Sequence, residues 1–339
     1  MKKTGKSILT VLILVLLPIV FFFGTICIGR YSVSIPDVFA SIKAVFSGSP
    51  DGVDNQTYIV VTGIRIPRAL IGLLVGASLA ASGTCFQSLF RNPLVSSGML
   101  GVSAGAGFGA ALSIVILGTT AMTPAFSFAF GIGAVILSVA VGKMTGARSA
   151  VTLVLGGTII QSIFRALLAL LKYMADENTQ LPAITFWLMG SLASTKPADL
   201  RFSIIPMIVG LIGMLAVSWR LNILSMGDRE ARTMGLNVKY SKIAVIGFAT
   251  LATAGAVSIS GIIGWVGLII PHICRMIVGS DNRRLIPASI SAGACFMVLV
   301  DTICRTMTTG EVPLGVVTAI IGGPFFIGLL KKTKGGAWK

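Results

Sequence analysis

The sequence is poor in charge and poorer still in acid. Of its 339 residues only 11% are charged, and 27 Lys and Arg face just 11 Asp and Glu. Soluble domains carry about 25% charged residues, so that class is excluded. There is one histidine, His272, and no acid-rich motif accompanies it. A membrane-embedded enzyme would need a carboxylate pair, a metal cluster or a nucleophile with its base, and none is visible. The five cysteines, Cys27, Cys85, Cys274, Cys295 and Cys304, are odd in number and widely spaced. That excludes a disulfide framework and a C-x-x-C metal site. A phosphate loop is missing too. Gly5-Lys6-Ser7 imitates only its tail, with no leading glycine and no preceding strand. If ATP drives this protein, another subunit binds it.

What is abundant is apolar. Hydrophobic residues make up 55% of the chain, glycine contributes 40 positions, and the mean hydropathy is +0.94. A chain of this size and hydropathy needs lipid as its solvent. The net charge of +16 is not clustered on a soluble module, which argues against nucleic-acid binding. The chain reads as an all-α polytopic membrane protein.

Charged residues mark the spans. Lys2, Lys3 and Lys6 precede an apolar run from Ile8 to Ile28 that is too long for a signal peptide and lacks its cleavage site, so it reads as an uncleaved first helix. Arg68 to Arg91 brackets a second. Asn92 to Gly142 has no charge at all, and a span takes about 20 residues, so this stretch is expected to fold back near Thr119–Pro124 as two. Ser149–Leu171 and Phe202–Trp219 follow. Ile243 to Cys274 holds one full and one short span, broken near Gly261–Gly264, and Leu285–Val300 and Val312–Leu330 complete a set of ten.

Basic residues orient them. With both termini inside, most Lys and Arg fall on the cytoplasmic side, joined there by only Asp228, Glu230 and Asp281 of the acids. The Lys/Arg bias is the topology rule. An internal echo accompanies it: Gly76-Ala77-Ser78-Leu79-Ala80-Ala81-Ser82-Gly83 resembles Ala252-Thr253-Ala254-Gly255-Ala256-Val257-Ser258-Ile259-Ser260-Gly261, five spans apart. Two inverted five-helix halves, residues 1–172 and 202–330 of one permease domain, would produce this; small-residue helices alike by composition would too.

All eleven acids are expected in loops or at span ends. Ion-coupled transporters usually carry an intramembrane carboxylate. Its absence counts against the alternative class, a secondary transporter or channel working without an ATPase.

Several phrases then point to one family. They are Arg65-Ile66-Pro67-Arg68, Gln87-Ser88-Leu89-Phe90-Arg91-Asn92-Pro93-Leu94, Leu100-Gly101-Val102-Ser103-Ala104-Gly105-Ala106, Gly264-Trp265-Val266-Gly267-Leu268-Ile269-Ile270-Pro271-His272-Ile273-Cys274-Arg275 and Glu311-Val312-Pro313-Leu314-Gly315-Val316-Val317-Thr318-Ala319. From about residue 55 to the C-terminus the chain closely resembles the membrane permease of the iron-chelate, haem and cobalamin ABC importers, the FecCD-like family. The resemblance implies a ten-helix subunit of the bacterial cytoplasmic membrane that pairs as a homodimer. It also implies two cytoplasmic ABC ATPases and an external or periplasmic substrate-binding protein as partners. The cargo would be a metal chelate, a ferric siderophore first, with haem or cobalamin next. No cofactor, metal or catalytic residue is expected.

Roles are implied residue by residue. The loop from Ser225 to Lys242 is the most charged cytoplasmic segment. Asp228 and Glu230 suit the start of a short helix, and Gly235 its end. In the family this loop couples to the ATPase, which assigns Asp228, Arg229, Glu230, Arg232, Met234, Gly235 and Leu236. Arg65, Arg68 and Arg305, expected at helix ends facing solvent, would meet acidic residues of the binding protein. Arg165 lies inside a span, where insertion costs about 2.5–3.5 kcal/mol, and would line the translocation pathway to attract an anionic chelate. Arg148 and Ser149 fall where the family narrows its pathway on the cytoplasmic side.

Overall fold

Uncharged runs in lipid leave backbone amides no partner except their own helix, and the described residues contain no strand. The structure is a computed structural model that describes residues 2–47, 53–118, 121–144, 150–193, 197–308 and 310–332. Its helices are α1 (Lys2–Cys27), α2 (Ile35–Ser47), α3 (Asn55–Ile59), α4 (Ile66–Phe90), α5 (Val102–Leu117), α6 (Thr123–Met144), α7 (Ala150–Met174), α8 (Gln180–Met189), α9 (Pro197–Ala216), α10 (Ser218–Met226), α11 (Asp228–Thr233), α12 (Val238–Ser260), α13 (Val266–Val278), α14 (Asn282–Thr306) and α15 (Leu314–Lys332). A π-helical turn, Val60–Arg65, joins α3 to α4.

The described residues of the expected spans fall largely on these helices, with Phe202–Trp219 shared between α9 and α10. Five helical stretches, Asn55–Phe90, Thr123–Met144, Thr152–Met174, Val238–Ser260 and Asn282–Thr306, are long and apolar enough to cross a bilayer. The pair α9–α10, bent by 58°, makes a sixth if counted as one, and shorter apolar helices accompany them. This is a multi-pass membrane protein. Helix α5 ends at Leu117 and α6 begins at Thr123, Thr119 and Thr120 lying outside the described residues, and the break at Gly261–Gly264 lies where the sequence suggests. The short helices α2, α8 and α10 were not anticipated.

One expectation needs correction. Asp301 is not at a span end. Helix α14 continues to Thr306, so Asp301 lies within it, 4% exposed. The helix can run on because a guanidinium from α4 neutralises this carboxylate.

Helix α4 is the axis of the bundle, buried almost continuously from Val75 to Phe90. It packs on α12, α13 and α14, while α12 in turn packs on α4, α5, α6 and α9. Small residues set the spacing. A methyl group placed on Gly76 would lie 2.1 Å from the Gly293 carbonyl oxygen of α14, and one on Gly83 1.9 Å from that of Gly267. Hydroxyls join the helices: Ser82 Oγ donates to Ala249 O at 3.0 Å, and Thr84 Oγ1 to Ser289 Oγ at 2.8 Å.

Candidate functional site

Two groups of charged residues stand at opposite ends of the bundle. At one end α9 breaks at Val217, α10 turns away, and Gly227 (φ 138°) reverses the chain into α11. That φ lies where a side chain would be strained. Asp228 and Glu230 occupy the first turn of α11, and Leu236 N–H closes its end on Ala231 O at 3.0 Å. Asn237 then caps α12 by accepting from Tyr240 N–H. Ala231, fully buried, and Val238 anchor this knob in the core.

What the knob presents is charged. Arg229, Glu230, Arg232, Met234 and Gly235 are exposed, and Leu236 is half-buried against the core. Asp228 pairs with Lys242 at 2.6 Å. Beside it lies a cavity of about 750 Å³ between Val139, Lys143 and Leu153 on one wall and Arg232, Lys239 and Ile246 on the other. Tyr240, 67% exposed, belongs to the same surface. The sequence reading passed over it, although an aromatic ring in a charged loop was a visible signal.

At the other end the arginines are not where the sequence suggests. Arg65, Arg68 and Arg305 were expected to face solvent, yet Arg65 is 5% exposed and the side chains of Arg68 and Arg305 are 12% exposed. Arg65 donates to the carbonyls of Ile26, at 2.7 Å, and Tyr31. Arg305 donates to the carbonyl and hydroxyl of Thr25. The last carbonyls of a helix lack intrahelical partners and carry its negative dipole end, so the end of α1 draws both guanidiniums inward. Arg68 is held more firmly. Its Nε and Nη2 donate to Asp301 at 3.0 and 2.8 Å, and its Nη1 and Nη2 to Glu311 at 2.8 and 2.9 Å. Hydrogen bonds from Arg68 hold the Glu311 carboxyl below its ordinary 4.5. Asp301 also faces Arg305 at 3.8 Å. The sequence reading left both carboxylates without a role.

The remaining residues stand apart from these two groups. Arg165 lies in mid-α7 on an exposed face shared with Thr158 and Ser162. Its Nη2 donates to Gln161 Oε1 at 3.3 Å, and Gln161 Nε2 donates to Met99 O at 2.6 Å. Arg148 and Ser149 lie outside the described residues. No group of His, Cys, Asp and Glu among the described residues could hold a metal ion.

The FecCD transport family matches residues 14–332. The molybdate import system permease MolB of Haemophilus influenzae is 39% identical over 310 residues, 91% of each chain. The hemin transport system permease HmuU of Yersinia pestis is 34% identical and covers 80% of this chain and 83% of its own. Among solved structures, an inward-facing conformation of a metal-chelate type ABC transporter superposes with a TM-score of 0.83 at 37% identity, covering 94% of this chain and 97% of the other.

Proposed function

The chain belongs to the FecCD transport family, and on that premise we propose that it is the permease of an ATP-driven importer for a metal chelate, a ferric siderophore before haem or cobalamin. An ABC permease is a transport component and not an enzyme, and its family implies an ATPase and a substrate-binding protein as partners. One observation carries the assignment of ends. Arg229, Glu230, Arg232 and Met234 project from a knob whose own anchor, Ala231, is fully buried. A surface held rigidly and left unpaired suits a partner. We therefore assign α11 and its flanks to the ATPase, on the cytoplasmic side.

The rest of the topology follows from that choice. Ten crossings, both termini inside and residence in the bacterial cytoplasmic membrane agree with the Lys/Arg bias. Two inverted halves agree with the packing, since α4 meets α12, α13 and α14 while α12 meets α4, α5 and α6. The Arg68 end would then receive the binding protein. Arg30, Arg65, Arg68 and Arg305 are matched at that end by Asp37, Asp54, Asp301 and Glu311, so docking there would rest on shape and on the exposed Arg30 more than on a net positive field. The exposed polar face of α7 suits a pathway wall between two copies of the chain, with Arg165 attracting an anionic cargo.

The resemblance to a molybdate permease supports a second reading of the cargo, an oxyanion, for which Arg165 would serve equally. Affinity capture of the tagged chain from its native membrane tests the assignment, and the ligand carried by the captured binding protein names the cargo. An ATPase and a binding protein are the expected companions. A stable oligomer that comes down alone, and transports on an ion gradient, would overturn the reading in favour of a secondary transporter or channel.

A further inference from the structure

On the α11 end, but away from the cavity beside the knob, lies a second cavity of about 440 Å³ at the ends of α4, α13 and α14. Its walls carry Arg91, Arg275 and His272 together with Gln87, Ser88 and Asn282, and no carboxylate lines it. Arg275 is held by a neutral group, donating from Nη2 to Gln87 Oε1 at 3.1 Å. Gln87 is itself oriented by the carbonyls of Gly267 and Leu268. Among the described residues no carboxylate lies within ion-pairing distance of either guanidinium. The nearby Asp281 accepts instead from Asn222 Nδ2 at 2.6 Å and from Arg283 N–H at 3.0 Å. Arg91 takes a left-handed backbone (φ 52°), a conformation that costs a non-glycine residue energy. That turn puts a cation at the cavity.

Two guanidiniums, Arg275 held by a neutral amide and Arg91 with Glu230 beyond the cavity wall as its nearest carboxylate, present fork donors and a net positive charge among neutral groups, the combination that suits a phosphate oxyanion. The next residues on α13, Met276 and Ile277, are 70% and 76% exposed. A soluble anion has no use for that apolar lip, whereas an acyl chain does. We propose that this cavity binds the phosphate of an anionic phospholipid. Basic pockets between helices on the cytoplasmic side hold such headgroups. The inference rests on the orientation proposed above only for the leaflet the lipid comes from.

The test uses the full-length permease in non-ionic detergent, so its readout is independent of transport and of orientation. Phosphatidylglycerol and phosphatidylcholine are added separately, and bound lipid is measured by native mass spectrometry. Wild type is expected to retain phosphatidylglycerol over phosphatidylcholine. Arg91→Gln combined with Arg275→Gln should lower that retention by about tenfold or more, the size of a lost charge-assisted hydrogen bond. Arg283→Gln with Arg284→Gln removes equal charge from exposed positions outside the cavity and should leave retention unchanged. If the double cavity variant fails to fold, Arg91→Gln alone, at an exposed residue, carries the same comparison. Competition by inorganic phosphate with the same arginine dependence would uphold the oxyanion site. Arginine-dependent phosphate binding without lipid binding would assign the site to a soluble source. The proposal is overturned if the cavity variant retains as much lipid as wild type, or if both variants lose it equally. It is also overturned if assembly with the ATPase expels the lipid, because the cavity would then be a socket for a partner's acidic side chain.

Discussion

The two ends of this bundle carry similar residues and use them in opposite ways. At the Arg68 end, guanidiniums turn inward onto Asp301, Glu311 and the open carbonyls of α1. At the α11 end, Arg229, Glu230 and Arg232 turn outward from a buried alanine. A charge satisfied within its own chain contributes to order, and one left in water is available to a partner. The same residue type at a helix end is therefore a poor guide to role until its partners are known.

Substitutions at the two ends should separate order from availability. The largest effect is expected at Arg68. Arg68→Ala would leave the carboxylate of Asp301 buried without its main counter-ion, a class of change that costs about 3–5 kcal/mol, and thermal unfolding in detergent should show it. Next comes Gly76→Leu, whose side chain would meet the Gly293 carbonyl. It should cost about 1–3 kcal/mol for the overpacking alone, measured in the same way. Acid sharpens the comparison further. The folded Glu311 carboxyl titrates below its ordinary 4.5, so its contribution is fully present above that pH and is lost as pH falls through the folded value. Glu311→Gln should flatten the acid side of the stability profile, whereas Arg232→Ala should leave the profile unchanged.

At the α11 end the expected effects on stability are small. Arg229→Ala with Arg232→Ala should alter stability by no more than about 0.5 kcal/mol, as for other exposed sites, while abolishing capture of the ATPase. Breaking the part-buried Asp228–Lys242 pair by Lys242→Ala should cost about 1 kcal/mol, the upper end for a surface ion pair. A large loss of stability in either variant would mean that the knob is part of the core. Arg165→Gln gives a third contrast, with stability unchanged and uptake of an anionic cargo slowed by about tenfold, the equivalent of one charge-assisted hydrogen bond. Unchanged uptake would remove Arg165 from the pathway.

Much of the fold was legible because lipid imposes a simple grammar: uncharged runs bounded by Arg and Lys became helices, and Gly261–Gly264 became a break. Small-residue runs such as Gly76 to Gly83 marked the most buried helix. What could not be read was pairing over distance. Asp301 and Glu311 stand 233 and 243 positions from Arg68, and nothing local announces which of two helix-end charges turns inward. The short helices α2, α8 and α10 escaped because stretches of 9 to 13 residues are too brief for hydropathy to separate from loop.

The contact between Gly76 and Gly293 has a mechanical consequence. Where side chains mesh, a helix can slip by changing rotamers one at a time. Where two main chains touch, there are no rotamers to change, and sliding would drive one carbonyl into the other. Helices α4 and α14 must therefore travel as a single strut. Any switching of this permease has to be accommodated elsewhere, in joints such as the 58° bend between α9 and α10.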